Sequence, residues 1–374
     1  MPRSIERTRT PAGDPAWHVY GYADVKALLA DPRLGRGHPD PPRAGWYSKV
    51  DIAGRPAGGS ESEYADHKYW RKAMNKVFSP ASLARMAPTV EKIVEDATAE
   101  FARKDMPAEL NDGYSDPVTS RVMCALLGAP PGDIDLFRSW TEQGANSTNM
   151  GLSAAGMKRL LDYAAGMIRQ RRDSNGTDIL SVLAAAGRDG DEVPHLRRVV
   201  KLIAGMLAFG RETPASVIDW AVMLLLTNPK QRELLLEDPS RAGGAMEEAL
   251  RMFKPPAATD RGLQRYAHTD MEVGGIRIRS GDMVLIDVMK ANHDSDVFPD
   301  PSAFDITRDP NPHLTFGYGF YMCNFARLGR MEIELALRTL FERFGTLRLA
   351  QQPDELRFKD HLRTGGIAQL LVAW

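Results

Sequence analysis

Two clusters in the chain combine residue types and spacing suited to chemistry. The first is Phe316-Gly317-Tyr318-Gly319-Phe320-Tyr321-Met322-Cys323. Its glycines give a tight loop with freedom in φ. The cysteine falls where the pattern predicts the start of a helix over 326–344. A helix N-terminus donates N–H groups to an anion and predicts a lowered thiol pKa. An iron ligand needs a charged sulfur, shielded from water and steadied by backbone donors. A buried, inert thiol is the commoner fate of a free cysteine. The Gly-x-Gly geometry and the preceding Phe316 favour the ligand.

The second cluster is Phe209-Gly210-Arg211-Glu212-Thr213-Pro214. It lies in the middle of 197–228, 32 residues of apolar helical character, about 48 Å long if continuous. Pro214 cannot donate to the Gly210 carbonyl and its ring pushes that carbonyl aside. The Thr213 hydroxyl can stand in as a partner for freed backbone groups. A kink with a carboxylate and a hydroxyl at mid-helix is expected, in the core. The plainer alternative is an ordinary proline kink with Glu212 in a salt bridge. The longest uncharged stretches, 202–210 and 220–228, are nine residues each. A bilayer needs roughly 20, so no membrane span is expected.

These clusters need elements to hold them. Val90, Ile93, Val94, Ala97 and Phe101 follow helical spacing, with Pro88 near the expected helix start. Further helices are predicted near 116–127, 156–172, 177–186, 217–226 and 243–253. Strands are predicted at 276–279 and 283–288, and a hairpin arm at 365–374. Residues 35–62, rich in Gly, Pro and Ser, form a long irregular segment of the kind that carries function. The fold class is mainly α with a minor β part. The 374 residues carry 48 Lys plus Arg against 49 Asp plus Glu, a net charge of −1. That balance argues against a nucleic-acid coat or a polybasic membrane binder. Two cysteines, Cys124 and Cys323, exclude a disulfide framework and a zinc site made of cysteine alone. The N-terminus has no apolar run, so no signal peptide is expected and the reading is cytoplasmic.

The loop Phe-Gly-Tyr-Gly-Phe-Tyr-Met-Cys resembles the haem-binding loop of the cytochrome P450 family. Three more motifs fall in that family's order. Glu248-Ala-Leu-Arg251 is similar to its Glu-x-x-Arg, and Gly210-Arg-Glu212-Thr213 to its oxygen-activation segment. His67-Lys-Tyr-Trp-Arg71 is similar to the His-x-x-x-Arg that reaches the haem propionates. Residues 17–25 resemble the first strand and helix start of bacterial soluble members, and 291–301 their meander before the haem loop. The resemblance covers nearly the whole chain, with a short N-terminal lead-in.

It implies a single domain over 1–374, with haem b between a long central helix and the cysteine loop. Cys323 becomes the axial ligand, in the loop that Phe316 and Gly317 open. Glu212 and Thr213 become the acid and hydroxyl of proton delivery. His67, Arg71 and Arg265 become the propionate partners, and Tyr321 takes the place of the usual histidine donor. Phe325 replaces a usual glycine, adding bulk beside the cysteine. Phe209 stands where the family has a smaller residue and, with Leu202 and Met206, is expected to line the substrate pocket. The 35–62, 256–263 and 365–368 segments would complete that lining. The buried Glu248–Arg251 pair is expected to be structural.

The implied activity is that of an O2-dependent monooxygenase acting on a small-molecule or natural-product substrate in secondary metabolism. A separate ferredoxin and its reductase would donate electrons, with Arg327 and Arg330 meeting an acidic partner. Two alternatives stand beside it. One is oxidative aryl coupling of a peptide by the same cofactor; the other is a non-catalytic homologue that activates a partner enzyme.

Overall fold

The computed structural model describes residues 4–50, 54–171, 179–185, 192–254, 262–362 and 365–374. Most of the 256–263 segment expected at the pocket therefore lies outside the described residues. The chain is mostly helical, with a five-stranded sheet in the order Ile5–Arg9, Pro15–Val19, Met283–Ile286, Leu263–Ala267, Leu34–Gly35. Pro15–Val19 runs parallel to Met283–Ile286, and Leu263–Ala267 antiparallel to it, with Arg265 opposite Val284. Val19, Leu34, Ala267, Val284 and Ile286 seal a small apolar core under this sheet. Among the described residues no helix is long and apolar enough to cross a membrane.

The helical part packs around a larger core built by the predicted periodicities. Val90, Val94, Ala97 and Phe101 are buried on one face of Pro80–Phe101. That helix starts eight residues before the expected point. Ser79 caps it by accepting from the Ser82 N–H at 3.3 Å, and Pro80 takes the first turn, where no N–H is missed. Pro88 is thus internal. It is tolerated because it and Ala84, whose carbonyl it cannot satisfy, both face solvent.

Helix Asp116–Leu127 matches its predicted bounds and ends on Gly128 in the left-handed region at φ 63°. Only Gly takes that conformation without strain. Cys124 is buried in this helix and burial pushes its thiol up to about 11, which leaves it an inert core residue.

The predicted long helix is present as Glu192–Gly210 and Glu212–Thr227, interrupted at Arg211. The second half is buried on nearly every side and packs on Ala242–Met252 and Ala326–Arg343. The expected C-terminal hairpin arm is present: Ile367 bridges Phe358, and Leu371–Ala373 pairs antiparallel with Arg348–Leu349. Leu371–Ala373 is the middle strand of a three-stranded sheet, between Ala108–Glu109 and Arg348–Leu349. Of its two partners only Ala108–Glu109 is distant in sequence, and local patterning does not reveal that one.

One buried histidine joins the sheet strands by charge. His18 Nε2 lies 2.9 Å from Asp287 and Nδ1 3.1 Å from Glu6. Burial works against its charge, but the two carboxylates outweigh it and raise the pKa above 6.5. A raised folded-state pKa adds stability at low pH that is lost as pH rises through it. The stability difference between wild type and His18→Gln is therefore expected to be larger near pH ~5.5 than near pH ~8.5, read by urea unfolding at both values.

Candidate active site

Helix Ala326–Arg343 begins three residues after Cys323. The loop before it is held by its own backbone. The Cys323 N–H donates to the Phe316 carbonyl at 2.8 Å, and the Gly317 N–H to Leu314 at 2.7 Å. Gly317 and Gly319 have φ of 75° and 69°. A Cβ on Gly319 would sit 2.7 Å from the Cα of Ala30, at the end of helix Tyr22–Ala30. A Cβ on Gly317 would find nothing nearer than 3.6 Å. Both changes carry the left-handed penalty of roughly 1–2 kcal/mol, but only the first forces backbone apart. Gly319→Ala is therefore expected to lower the unfolding midpoint and cofactor uptake well beyond Gly317→Ala, measured side by side.

The Cys323 sulfur is half-buried and accepts from the Phe325 and Ala326 N–H groups. Arg71 and Arg330 add positive potential. The thiol pKa is nevertheless raised, because burial outweighs the donors and cations. This corrects the lowering expected from the helix N-terminus alone. A metal cation beside the sulfur would reverse that balance.

Around the loop edge the structure gathers His67, Arg71, Arg265 and Tyr321, as the motifs implied. His67 Nε2 donates to the Phe320 carbonyl at 2.9 Å, and Arg71 Nη1 to the Met322 carbonyl at 2.5 Å. Both side chains thus brace the loop backbone. The Tyr321 hydroxyl, expected to face a propionate, instead donates to Glu63 Oε1 at 3.0 Å. Glu63 also accepts the Arg36 and Gly37 N–H groups at 2.8 and 2.7 Å. Arg36 and Arg265 lie 5.5 and 5.4 Å from the Tyr321 ring.

Burial, with Arg36 close by, pushes Arg265 down to about 10. Its hydrogen bond runs to the neighbouring Gln264 carbonyl at 2.8 Å. Among the described residues no carboxylate is within ion-pair distance of it. A desolvated arginine beside a second arginine favours an anion. The donor set therefore fits haem: one thiol with two N–H donors, and several cations at one edge for two carboxylates. Glu63 and Arg36 were missed by the sequence reading. Glu63 had a signal, since 63, 67 and 71 repeat at i+4 on helix Glu63–Val77.

Glu212 opens the second half of the central helix and both its carboxylate oxygens are shut off from solvent. Thr213 follows, half-buried. Phe209 is 48% exposed, an unusual state for an aromatic on a core helix and suited to a cavity wall. Leu202 is half-buried. Met206 packs into the core at 3% exposure, so its side chain offers no open surface for the pocket it was expected to line.

The Phe325 ring, two residues after the cysteine, lies tilted against Phe78 at 4.7 Å. Arg330 is paired with Glu247 at 2.5 Å and covers the Phe316 ring at 4.5 Å, while Arg327 is exposed. Arg330 therefore serves the loop first.

Residues 109–368 match the family model "Cytochrome P450". The chain belongs to the cytochrome P450 family. It is 34% identical over 373 residues to pentalenolactone synthase of Streptomyces exfoliatus, covering 99% of this chain and 93% of that one. It is 33% identical over 372 residues to biflaviolin synthase of Streptomyces coelicolor, covering 99% and 90%. The solved mycinamicin VIII C21 methyl hydroxylase of Micromonospora griseorubida superposes with a TM-score of 0.86 at 30% identity, covering 100% and 94%. This P450 is thus a monooxygenase of the haem-dependent class, with the fold of bacterial family members.

Proposed function

We propose that this P450 uses haem b, held by Cys323, to insert one oxygen atom of O2 into a natural-product substrate in secondary metabolism. Electrons come from a separate ferredoxin and its reductase, in the cytoplasm. One observation carries the reading. The helix with Glu212 and Thr213 packs directly on the helix that follows Cys323, so thiol and proton-handling groups belong to adjoining elements.

Haem, when bound, supplies the iron that takes up dioxygen and the oxidising power for insertion. The chain's own residues do the rest. Cys323 Sγ would hold the iron as a thiolate, its charge steadied by the Phe325 and Ala326 N–H groups. Arg265 and Arg36 would hold the propionates, with His67 and Arg71 bracing the loop beside them. The Thr213 hydroxyl and the Glu212 carboxylate move protons through a site otherwise closed to water. Phe209 walls the substrate side, and its ring favours an apolar or aromatic ligand surface. Three natural-product enzymes among the relatives, named above, support the substrate class.

Turnover under labelled dioxygen, with ferredoxin, reductase and a panel of macrolide, terpenoid and aromatic polyketide substrates, tests the reaction. A monooxygenase product carries one labelled atom, the other leaving as water. A coupled product without label would overturn insertion.

A further inference from the structure

We propose that Arg211 and Asp116 are positioning residues for proton delivery, holding open the break in the central helix that aims Glu212 and Thr213. The proposal rests on the reading that this pair handles protons. Arg211 alone lies between the two helical halves, at φ −99° and ψ −59°. It is 4% exposed, so its charge sits in the core. Its Nη1 donates to Asp116 Oδ1, and the two side chains are 5% and 6% exposed. Its buried Nε has no hydrogen-bond partner among the described residues.

Asp116 is the first residue of helix Asp116–Leu127, and the same helix reaches the break a second time. Met123, two turns on, places its Cε where a Cβ on Gly210 would lie. A third tie follows past the break. Asp219, fully buried, accepts from Asn111 Nδ2 at 2.5 Å and from Ser115 Oγ at 2.6 Å. Asn111 and Ser115 belong to the turn that leads straight into Asp116. Asp219 is seven residues after Glu212, hence on nearly the same face two turns away. Segment 111–123 therefore grips the central helix at 210, 211 and 219, bracketing the pair between them.

Pro214 explains a kink but not this arrangement. Its missing N–H frees the Gly210 carbonyl, and the next amide, Ala215, reaches the Arg211 carbonyl at only 3.4 Å. A proline kink needs no buried charge. Apolar residues of similar volume usually fill such a site as well or better than an ion pair. What the pair adds is register: Arg211 reaches Asp116 in one orientation of the break, and Glu212 is the next residue. Neither residue is assigned contact with substrate or cofactor.

The double variant Asp116→Leu/Arg211→Met removes the pair without stranding a charge. In the holoenzyme it is expected to keep the thiolate-type carbon monoxide spectrum. Product formed per electron should fall at least about tenfold, since a misplacement of about 1 Å can cost about a hundredfold, with hydrogen peroxide rising in its place. Amide exchange over 210–216 should quicken about tenfold as the break loosens. Wild-type coupling with wild-type exchange would overturn the proposal. Should the double variant fail to take up haem, Asp116→Ala, which removes the acceptor that Arg211 reaches, must show both changes or the proposal falls. Glu212→Gln separates the two levels. If it couples like wild type, the proton-handling reading fails. If it uncouples while the double variant does not, only the positioning role fails.

Discussion

Cys323→Ser is expected to give a folded protein whose reduced, carbon monoxide-treated form lacks the thiolate-type Soret shift and whose turnover falls below detection. The loop does not depend on the sulfur for its shape. The 316–323 backbone bond, the two left-handed glycines and the braces from His67 and Arg71 all remain. The ligand is what changes. Burial already opposes charge on the thiol, and a serine hydroxyl is far harder to ionise in the same place. The strong electron donation that a thiolate gives iron is then lost. A haem-loaded Ser variant that keeps the shift, or a haem-loaded wild type that lacks it, would sink the assignment of Cys323. Unfolding midpoints of the two proteins should agree closely, which separates loss of the ligand from loss of the fold.

The second large effect falls on stability. Arg251→Met is expected to lower unfolding free energy by about 3–5 kcal/mol, the range for breaking a buried ion pair. Glu248 and Arg251 are both fully buried and meet through two contacts of 2.8 Å. Arg251 also donates to the Asn292, Pro301 and Ala303 carbonyls at 3.0, 2.8 and 3.0 Å. These carbonyls belong to the irregular chain before the cysteine loop, so the arginine ties that chain to helix Ala242–Met252. Glu248 keeps Arg308 at 3.2 Å and Asn311 at 3.0 Å, so its charge stays partly compensated. The three carbonyls lose their donor outright. Arg330→Met breaks a partly exposed pair with Glu247 and is expected to lower stability by only about 1 kcal/mol or less. Urea unfolding of both variants decides. A loss for Arg251→Met no larger than that for Arg330→Met would overturn the structural role.

Much of this was legible because it is local. Glycines four and six residues before Cys323, Glu248 and Arg251 three apart, and Thr213 beside Pro214 are short-range patterns with direct physical meanings. Helices at 116–127 and 326–343 followed from apolar spacing and their end signals. The missed features share a different property. Tyr321 meets Glu63 across 258 residues, and Arg211 meets Asp116 across 95. No periodicity connects such positions. The start at Ser79 lies beyond the clear apolar repeat, so the pattern alone puts the boundary near Pro88.

By itself, the sequence pointed to the cysteine loop proposed as ligand, the Glu248–Arg251 pair, the kink in the central helix and the family these compose. Each is a matter of residue type and spacing along a few turns of chain. Tertiary structure alone decided the sign of the Cys323 pKa shift, the partner of Tyr321 and the anchoring of Arg211. Those depend on how much water is excluded and which distant charge arrives, and both are set only when separate elements pack together.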